Sequence, residues 1–251
     1  MFALNIWSTS LTHYVLQILI SWVQVTAYLP ASKLRKTEIM MQGIRTLLPY
    51  TSWAWNLLGV SFALSAFIAH HQASVHGKQD VPQPLLRVAL LLYEIAAPSA
   101  LLVSFVVSYA IWPNLIRQGA STANIRAPRT LIWHNGNIIM ALAETVLLGG
   151  IPVKLRHFAV APMFGMLYVL FTWSAMHYWK PSHGPQFLYF FFDTTLGTTS
   201  TYAMVILMAV MLAFYSLFAI VDMLLDHFGG GLVPRLLFVI VTCTMVCRFR
   251  D

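Results

Sequence analysis

The sequence predicts an all-α membrane protein, a polytopic bundle of six transmembrane helices followed by an apolar C-terminal tail. Of the 251 residues, 59% are hydrophobic and only 9% are charged, and the mean hydropathy is +0.72. A soluble domain carries roughly a quarter charged residues. The hydrophobic residues form runs of about 19 to 25 residues, and about 20 apolar residues in a helix cross a typical bilayer. Composition and run length together therefore favour an integral membrane protein.

The six predicted spans are separated by loops that hold most of the charged and helix-breaking residues. The first span is the least regular, because His13, Gln17 and Gln24 lie inside it. The third contains Glu94 and Pro98, and proline is tolerated within a transmembrane helix. The chain is predicted to be one integral membrane domain, 1–251, with spans at residues 11–29, 50–69, 88–112, 130–150, 157–179 and 201–225 and a tail at 232–251.

The tail is apolar but is interrupted by Pro234 and Arg235. Its uninterrupted part, Leu236 to Cys247, is too short to cross a bilayer, so an interfacial or re-entrant segment is predicted.

The charge distribution excludes one class of partner and leaves the orientation open. The net charge of +7 arises from short loops between apolar runs, which suits anionic lipid headgroups. No segment gathers these charges into a basic face, so nucleic acid is not an expected partner. With six spans, the Lys and Arg residues divide eight against seven between the two sides, which sets no orientation. The predicted location is an endomembrane or the plasma membrane.

The fourth span, Thr130 to Gly150, carries an unusual number of polar residues for a membrane helix. At about 100° per residue, His134, Asn137, Ala141 and Glu144 fall within about 80° of one another. Ionisable groups at membrane depth are costly and usually face the bundle interior, where they often mark function. The alternative is that His134 and Asn137 only join helices by hydrogen bonds.

A hydroxyl and an imidazole are expected at similar depth on one side of the membrane. Six spans place the starts of the second and fourth helices on the same face, with Thr51 two residues and His134 five residues into them. A rise of 1.5 Å per residue puts the two within about 5 Å of the same depth. They are the minimal parts of a nucleophile and its base. The alternative is that Thr51 caps its helix or bonds to its own turn.

Four segments resemble one family, the androgen-induced-gene and Rolling stone group of six-pass membrane proteins. The similarity covers about residues 45 to 200, matches span six only in character, and is weak in the first span and the tail. Two of its motifs are fairly specific: a threonine before a Trp-rich helix start, and His–x–x–Asn with an acid ten residues after the His. The segments are YTSWAWNLLGVSFALSAF, YEIAAPSALLVSFVVSYAIWP, HNGNIIMALAE and RHFAVAPMFGMLYVLFTW.

The resemblance implies an activity as well as a fold. Some members of this family are threonine hydrolases that cleave fatty acid esters of hydroxy fatty acids, and their nucleophile and histidine correspond to Thr51 and His134. The expected function is thus an intramembrane lipid esterase that hydrolyses long-chain acyl esters without a cofactor, with membrane lipids as its surroundings. The candidates for stabilising the oxyanion are Asn135, Asn137 and Ser52, and the sequence does not choose among them.

The remaining polar residues support weaker hypotheses. Asp193 and His183 lie in a loop on the proposed site face, where either is a candidate to orient His134, although a solvated loop is the simpler interpretation. Glu94 and Glu144 lie at similar depth near the opposite face and should point into the bundle; if they approach each other, one should be protonated. No metal site is predicted, because no carboxylate or further ligand completes a recognisable site with His70, His71 and His76.

Two other functions remain open at this point. One is a non-catalytic membrane protein, either a fusion or assembly factor or a subunit of a larger complex, as in other members of the family. The other is a transporter, which rests only on Glu94 and Glu144. A lipid-sized cavity beside Thr51, with His134 within hydrogen-bond reach, favours the esterase, whereas a cavity-free bundle favours the non-catalytic protein.

Overall fold

The fold is taken from a computed structural model, which describes residues 26–29, 39–74, 81–148, 152–175, 187–228 and 230–250. Helices dominate this part of the chain. In chain order they are α1 (Tyr50–Ser74), α2 (Gln83–Arg117), α3 (Ala123–Arg126), α4 (residues 128–147), α5 (Val160–Ser174), α6 (Thr198–His227) and α7 (Leu232–Val246). Short 3-10 turns lie at Gly43–Leu47, Leu155–His157, Phe190–Phe192 and Thr194–Leu196.

Four helical segments are long and apolar enough to cross a bilayer: Tyr50–His71, Gln83–Arg117, Leu155–Ser174 and Thr198–Val221. They correspond to the second, third, fifth and sixth predicted spans and indicate a membrane-embedded protein. The third is longer than predicted, because it begins at Gln83 and ends at Arg117. As predicted, it continues through Pro98, and it contains a π-helical stretch at Val107–Ile111.

The fourth predicted span is helical but differs from the other four. α4 is continuous and begins with an α-helical turn, Pro128–Leu131. The π-helical stretch Ile132–Gly136, the α-helical stretch Asn137–Leu142 and the π-helical stretch Ala143–Leu147 follow in that order. Its polar residues make it less apolar than the four candidate spans. Single π-turns inside helices are often found at functional sites. The two stretches contain His134 and Glu144, which were predicted to share one face of the helix.

The first predicted span, 11–29, lies outside the described residues except for its last four. Those four, Thr26–Leu29, form strand β1 instead of helix. β1 pairs antiparallel with β2, Ile39–Gln42, with Thr26 opposite Gln42 and Leu29 opposite Ile39. The predicted helix therefore extends too far at its C-terminal end, since these residues satisfy their backbone groups in a ladder.

α2 lies at the centre of the helix packing. Its residues Ala96, Ala97 and Ala100 are fully buried in the main hydrophobic cluster, and small residues allow helices to approach closely. The cluster is completed by larger side chains from α1, α4 and α6, among them Leu58, Phe62, Ile138, Leu142, Met211 and Phe218.

Polar contacts along α2 fix the direction of α1. The hydroxyls of Tyr50 and Ser99 lie 2.9 Å apart, while the rings of Phe62 and Tyr93 are 6.3 Å apart further along. α1 therefore runs antiparallel to α2, and its start lies beside the middle of α2.

Similar contacts fix the direction of α4. The Ser104 hydroxyl donates to the carbonyl of His134, and the Tyr93 hydroxyl donates to the carbonyl of Ala141 at 2.8 Å. α4 is therefore also antiparallel to α2, and α1 and α4 start at the same end of the bundle. We call this the Thr51 end and the opposite one the Glu94 end.

The C-terminal tail is a helix that packs along α4. Near the Glu94 end, Arg235 donates from Nη1 to the carbonyl of Val146 at 2.8 Å. Near the Thr51 end, the Ser108 hydroxyl donates to the carbonyl of Val246 at 2.7 Å, and the Tyr109 hydroxyl donates to that of Met245. α7 thus runs antiparallel to α4, from the Glu94 end of the bundle to the Thr51 end.

The close packing of α2 leads to a stability prediction. Replacing Ala97, which is 0% exposed, with leucine should destabilise the protein by about 1–3 kcal/mol, because the added atoms have no space between the helices. The matched control on the same helix is Val88→Leu, whose side chain is 47% exposed. Thermal unfolding in detergent should show a lower midpoint for Ala97→Leu alone. Equal midpoints for the two variants would contradict this packing.

Candidate functional site

A cavity of about 690 Å³ lies beside Thr51, between α2, α5, α6 and the segment 187–192. We call it the Thr51 cavity. Apolar side chains dominate its wall, including Leu102 and Val106 of α2 and Leu207 and Met211 of α6. No charged side chain of the described residues lines it. Its volume falls within the roughly 300–1,000 Å³ of typical ligand pockets, and its wall suits a hydrocarbon chain.

Thr51 occupies the first turn of α1 and is 7% exposed. Its neighbour across the cavity wall is Tyr189, whose Oη accepts the backbone N–H of Tyr50 at 3.1 Å and also lies beside the backbone and hydroxyl of Thr51. Burial raises the pKa of the Tyr189 phenol, so this hydroxyl keeps its proton at neutral pH. Sequence reasoning missed Tyr189, because it lies in a loop far along the chain and belongs to no motif.

The segment that carries Tyr189 is held from two sides. The Ser200 hydroxyl donates to the carbonyl of Phe191 at 2.8 Å, and the indole N–H of Trp173 donates to that of Phe192 at 3.2 Å. The Tyr189 ring stacks on that of Phe191, with centroids 5.1 Å apart. These contacts connect the segment to α5 and α6 and place the Tyr189 hydroxyl at the start of α1.

His134 lies in the first π-helical stretch of α4, at the Thr51 end, as the spacing predicted. Its Nδ1 is buried and has no hydrogen-bond partner among the described residues. The imidazole packs against the adjacent Trp133 and is not part of the lining of the Thr51 cavity. No hydrogen bond joins His134 to Thr51 in this part of the chain. The structure therefore places the two residues at one end of the bundle, with no hydrogen bond between them among the described residues.

The candidate oxyanion donors are largely engaged elsewhere. The Ser52 hydroxyl donates to the carbonyl of Thr46 at 2.6 Å, and the Asn135 amide donates to that of Arg248 at 2.8 Å. Asn137 accepts the backbone N–H of Ile138 at 2.7 Å through its Oδ1. Its Nδ2 is buried and unpaired within the described residues. None of the three lines the Thr51 cavity.

Asp193 is buried, with 1% exposure, and does not lie in a solvated loop. Its carboxylate accepts the backbone N–H of Thr195 at 2.9 Å and the hydroxyl of the same residue at 2.6 Å. It therefore caps the 3-10 turn before α6 and does not orient His134. The other loop candidate, His183, lies outside the described residues.

The two buried acids occupy different environments. Glu94, which is 0% exposed, accepts the backbone N–H of Lys154 at 2.8 Å and lies 2.8 Å from His157 Nδ1. Arg156 donates to His157 Nε2 at 3.2 Å, so the proton of a neutral His157 is on Nδ1, directed at Glu94. Glu144 is 4% exposed, and no hydrogen bond to its carboxyl is found in the described part of the chain. Glu94 is thus paired with His157 and not with Glu144.

The described residues offer little for a metal ion. Within them, no three side chains of His, Cys, Asp or Glu come together in one place. His70 and His71 lie at the end of α1, and His76 lies outside the described range.

Comparison of the chain with protein-family models, with curated proteins and with solved structures found no match.

The Glu94 contacts lead to a second prediction. Glu94→Ala should lower the free energy of unfolding by about 1–3 kcal/mol, because the Lys154 N–H and the His157 ring lose their buried acceptor. Glu94→Gln keeps an oxygen that can accept the Lys154 N–H and should cost less. Chemical denaturation in mixed micelles, with the two variants measured side by side, checks this ranking. Equal stability of wild type and Glu94→Ala would show that the contact contributes nothing.

Proposed function

We propose that the protein is an intramembrane lipid esterase that cleaves long-chain acyl esters with Thr51 as its nucleophile. One observation carries this proposal: the Thr51 side chain lies in the wall of an apolar cavity of about 690 Å³. A hydroxyl beside a hydrocarbon-lined space is placed to meet an ester carbonyl whose chain fills that space. The resemblance of the segments around Thr51 and His134 to the family of threonine hydrolases supports the same assignment.

His134 is the proposed base. Its position at the Thr51 end and its unpartnered, buried Nδ1 support this role, because a free imidazole nitrogen can accept a proton. Since no hydrogen bond joins it to Thr51 among the described residues, the transfer requires the two side chains to approach, or one water to connect them, when substrate is bound. Catalytic hydrogen bonds often tighten only in the substrate complex.

The proposed reaction proceeds through an acyl-enzyme. Thr51 Oγ1 forms a bond to the carbonyl carbon, while His134 takes the threonine proton and returns it to the departing alcohol oxygen. Water then attacks the acyl-threonine, gives its proton through the same histidine, and releases the fatty acid and the free hydroxyl of Thr51. The net reaction consumes one water for each ester and needs no other reactant.

The proposal includes six membrane crossings, with α4 as the fourth. Its antiparallel packing on α2 supports this, because contacts at His134 and Ala141 match α2 positions two turns or more apart. This topology puts the starts of α1 and α4 on one membrane face. The first crossing is proposed for a region outside the described residues. Of the interfacial and re-entrant places predicted for the tail, the proposal keeps the re-entrant one, because α7 packs antiparallel along α4.

The lack of a hydrogen bond between Thr51 and His134 among the described residues favours one other function. A non-catalytic membrane protein, such as a fusion or assembly factor or a subunit of a complex, would use the Thr51 cavity only to hold a lipid chain. In that case the cavity binds lipid, and no ester is cleaved.

The decisive prediction tests whether Thr51 is the nucleophile or only a residue with a structural hydroxyl. Thr51→Ala should abolish ester hydrolysis while the protein still folds, because losing one buried hydroxyl costs about 1–3 kcal/mol whereas losing the nucleophile removes the reaction route. His134→Ala should be equally inactive and the double variant no worse, since the two act as a unit. Hydrolysis by purified protein in lipid, corrected for folded yield, measures this.

Ser61→Ala is the matched control, because it removes another buried hydroxyl of α1 away from the cavity, and it should keep wild-type activity. A lipid-like phosphonate should label Thr51 in the wild type and spare Thr51→Ala. Full activity of Thr51→Ala would refute the mechanism. Inactivity of the wild type on a broad panel of lipid esters would instead favour the non-catalytic function.

The size of the cavity should determine the preferred acyl length. Gly165 lines the Thr51 cavity, and a Cβ added there meets no atom within 4 Å, so larger side chains fill the space without distorting α5. Gly165→Leu should reduce kcat/KM for long-chain esters more than for short ones, and Gly165→Ala should fall between it and the wild type. An equal loss for all chain lengths would place the acyl chain elsewhere.

A further inference from the structure

The Thr51 cavity contains a polar group that the proposed reaction has not yet used. Three tyrosines, Tyr50, Tyr168 and Tyr189, line it close to Thr51. The Tyr50 hydroxyl is paired with Ser99 at 2.9 Å, and that of Tyr168 donates to the carbonyl of Leu48 at 2.9 Å. The Tyr189 hydroxyl instead accepts a backbone N–H. It lies in hydrogen-bond contact with the hydroxyls of Thr51 and Tyr168, and among the described residues it donates to no backbone carbonyl.

We infer that Tyr189 is the catalytic residue that binds the acyl carbonyl of an uncharged lipid ester and stabilises the oxyanion formed when Thr51 attacks. This inference rests on the proposed function. It assigns the oxyanion donor to a residue that lines the cavity, in place of Asn135, Asn137 and Ser52, none of which does.

The geometry around Tyr189 supports this role. Its Oη lies 3.1 Å from the backbone nitrogen of Tyr50, the residue before Thr51, and beside the Thr51 hydroxyl. A carbonyl carbon within reach of Thr51 Oγ1 therefore has its oxygen close to the same phenol. The N–H that donates to Oη belongs to the first turn of α1, where the helix dipole is positive, and it polarises the O–H toward an acceptor.

The protonation state of the Tyr189 phenol suits a hydrogen-bond donor and not a general base. Burial raises the pKa of Tyr189, so the phenol is protonated when the ester binds. In the attack step, the Thr51 proton moves to His134, the Thr51 Oγ1–carbon bond forms, and the electron pair of the carbonyl double bond moves to its oxygen. The Tyr189 O–H donates a hydrogen bond to that oxygen and keeps its proton, and the double bond re-forms as the alcohol departs.

The same wall defines the substrate class. Among the described residues no charged side chain lines the cavity, and Thr51 and the three tyrosines supply its hydroxyl groups. An ionised headgroup inside it would lose its hydration without a counter-charge. The acyl portion that enters is therefore an uncharged chain whose single ester carbonyl meets Tyr189, and a charged group must stay outside.

The test uses Tyr189→Phe in the full-length protein in lipid. This change removes the hydroxyl but keeps the ring stacked on Phe191 and beside Phe192. It should lower kcat for a long-chain ester about 10²–10³-fold, the usual effect of losing one oxyanion donor, with little change in KM. Binding of the matching ether, which lacks the carbonyl, should be unchanged. Tyr215→Phe, which removes a buried hydroxyl at the Glu94 end, should behave as wild type.

The outcomes separate this inference from the proposed function. Full activity of Tyr189→Phe, with Thr51→Ala inactive, would overturn the role of Tyr189 and leave the esterase intact. Equal losses of kcat and of ether binding would make Tyr189 structural and also overturn the inference. An inactive wild type, or an active Thr51→Ala, would overturn both. If the phenylalanine variant does not fold, Tyr189 can be replaced with 3,5-difluorotyrosine, which retains the ring and the hydroxyl but has a more acidic O–H. Because this changes the strength of the hydrogen bond to the oxyanion, kcat should change, and an unchanged kcat would refute the inference.

Discussion

The structure depends on satisfying polar groups where water is scarce. In a membrane interior, every unpaired polar group is costly, and α2 meets this constraint by pairing its polar side chains with other helices. Ser99, Tyr93 and Ser104 contact α1 and α4, and Glu94 binds the start of the turn that leads into α5. Because each bond joins one position of α2 to one position elsewhere, these contacts set the direction and depth of the helices in a core that is otherwise apolar.

This constraint explains what the sequence could predict. Apolar runs identify α1, α2, α5 and α6, since length and hydropathy are local properties. The grouping of polar residues on one face of α4 correctly predicted that the side chains of Asn137 and Glu144 are buried, because lipid offers these groups no partner. The partner of Glu94 was out of reach: His157 follows it by 63 residues, and no spacing rule connects a helix interior to a distant turn. The strand at Thr26–Leu29 was also missed, because a short apolar segment reads equally well as the end of a helix.

The same reasoning separates the candidate site into a part that could be predicted and a part that could not. Thr51 and His134 were chosen because they start helices that run in one direction, and the contacts of α2 with Tyr50 and His134 place both at the same end. Whether the side chains of two helices touch at that end depends on how each helix is rotated about its own axis and on the loops beside it. Here rotation turns Thr51 toward α5 and α6, and a loop segment brings Tyr189 beside it.

The arrangement of the two polar ends bears on how an esterase could work within a bilayer. At the Glu94 end, the carboxylate has its acceptor sites occupied by His157 and Lys154, which favours a rigid anchor over chemistry. At the Thr51 end, the His134 Nδ1 and the Asn137 Nδ2 are buried and lack partners among the described residues, and unpaired buried groups cost free energy that a folded chain seldom leaves uncompensated. For His134 that cost is recovered if the water that hydrolyses the ester supplies a partner for its Nδ1. His134, the proposed base, therefore keeps a nitrogen that is unpaired within the described residues, at the end where the proposed reaction takes place.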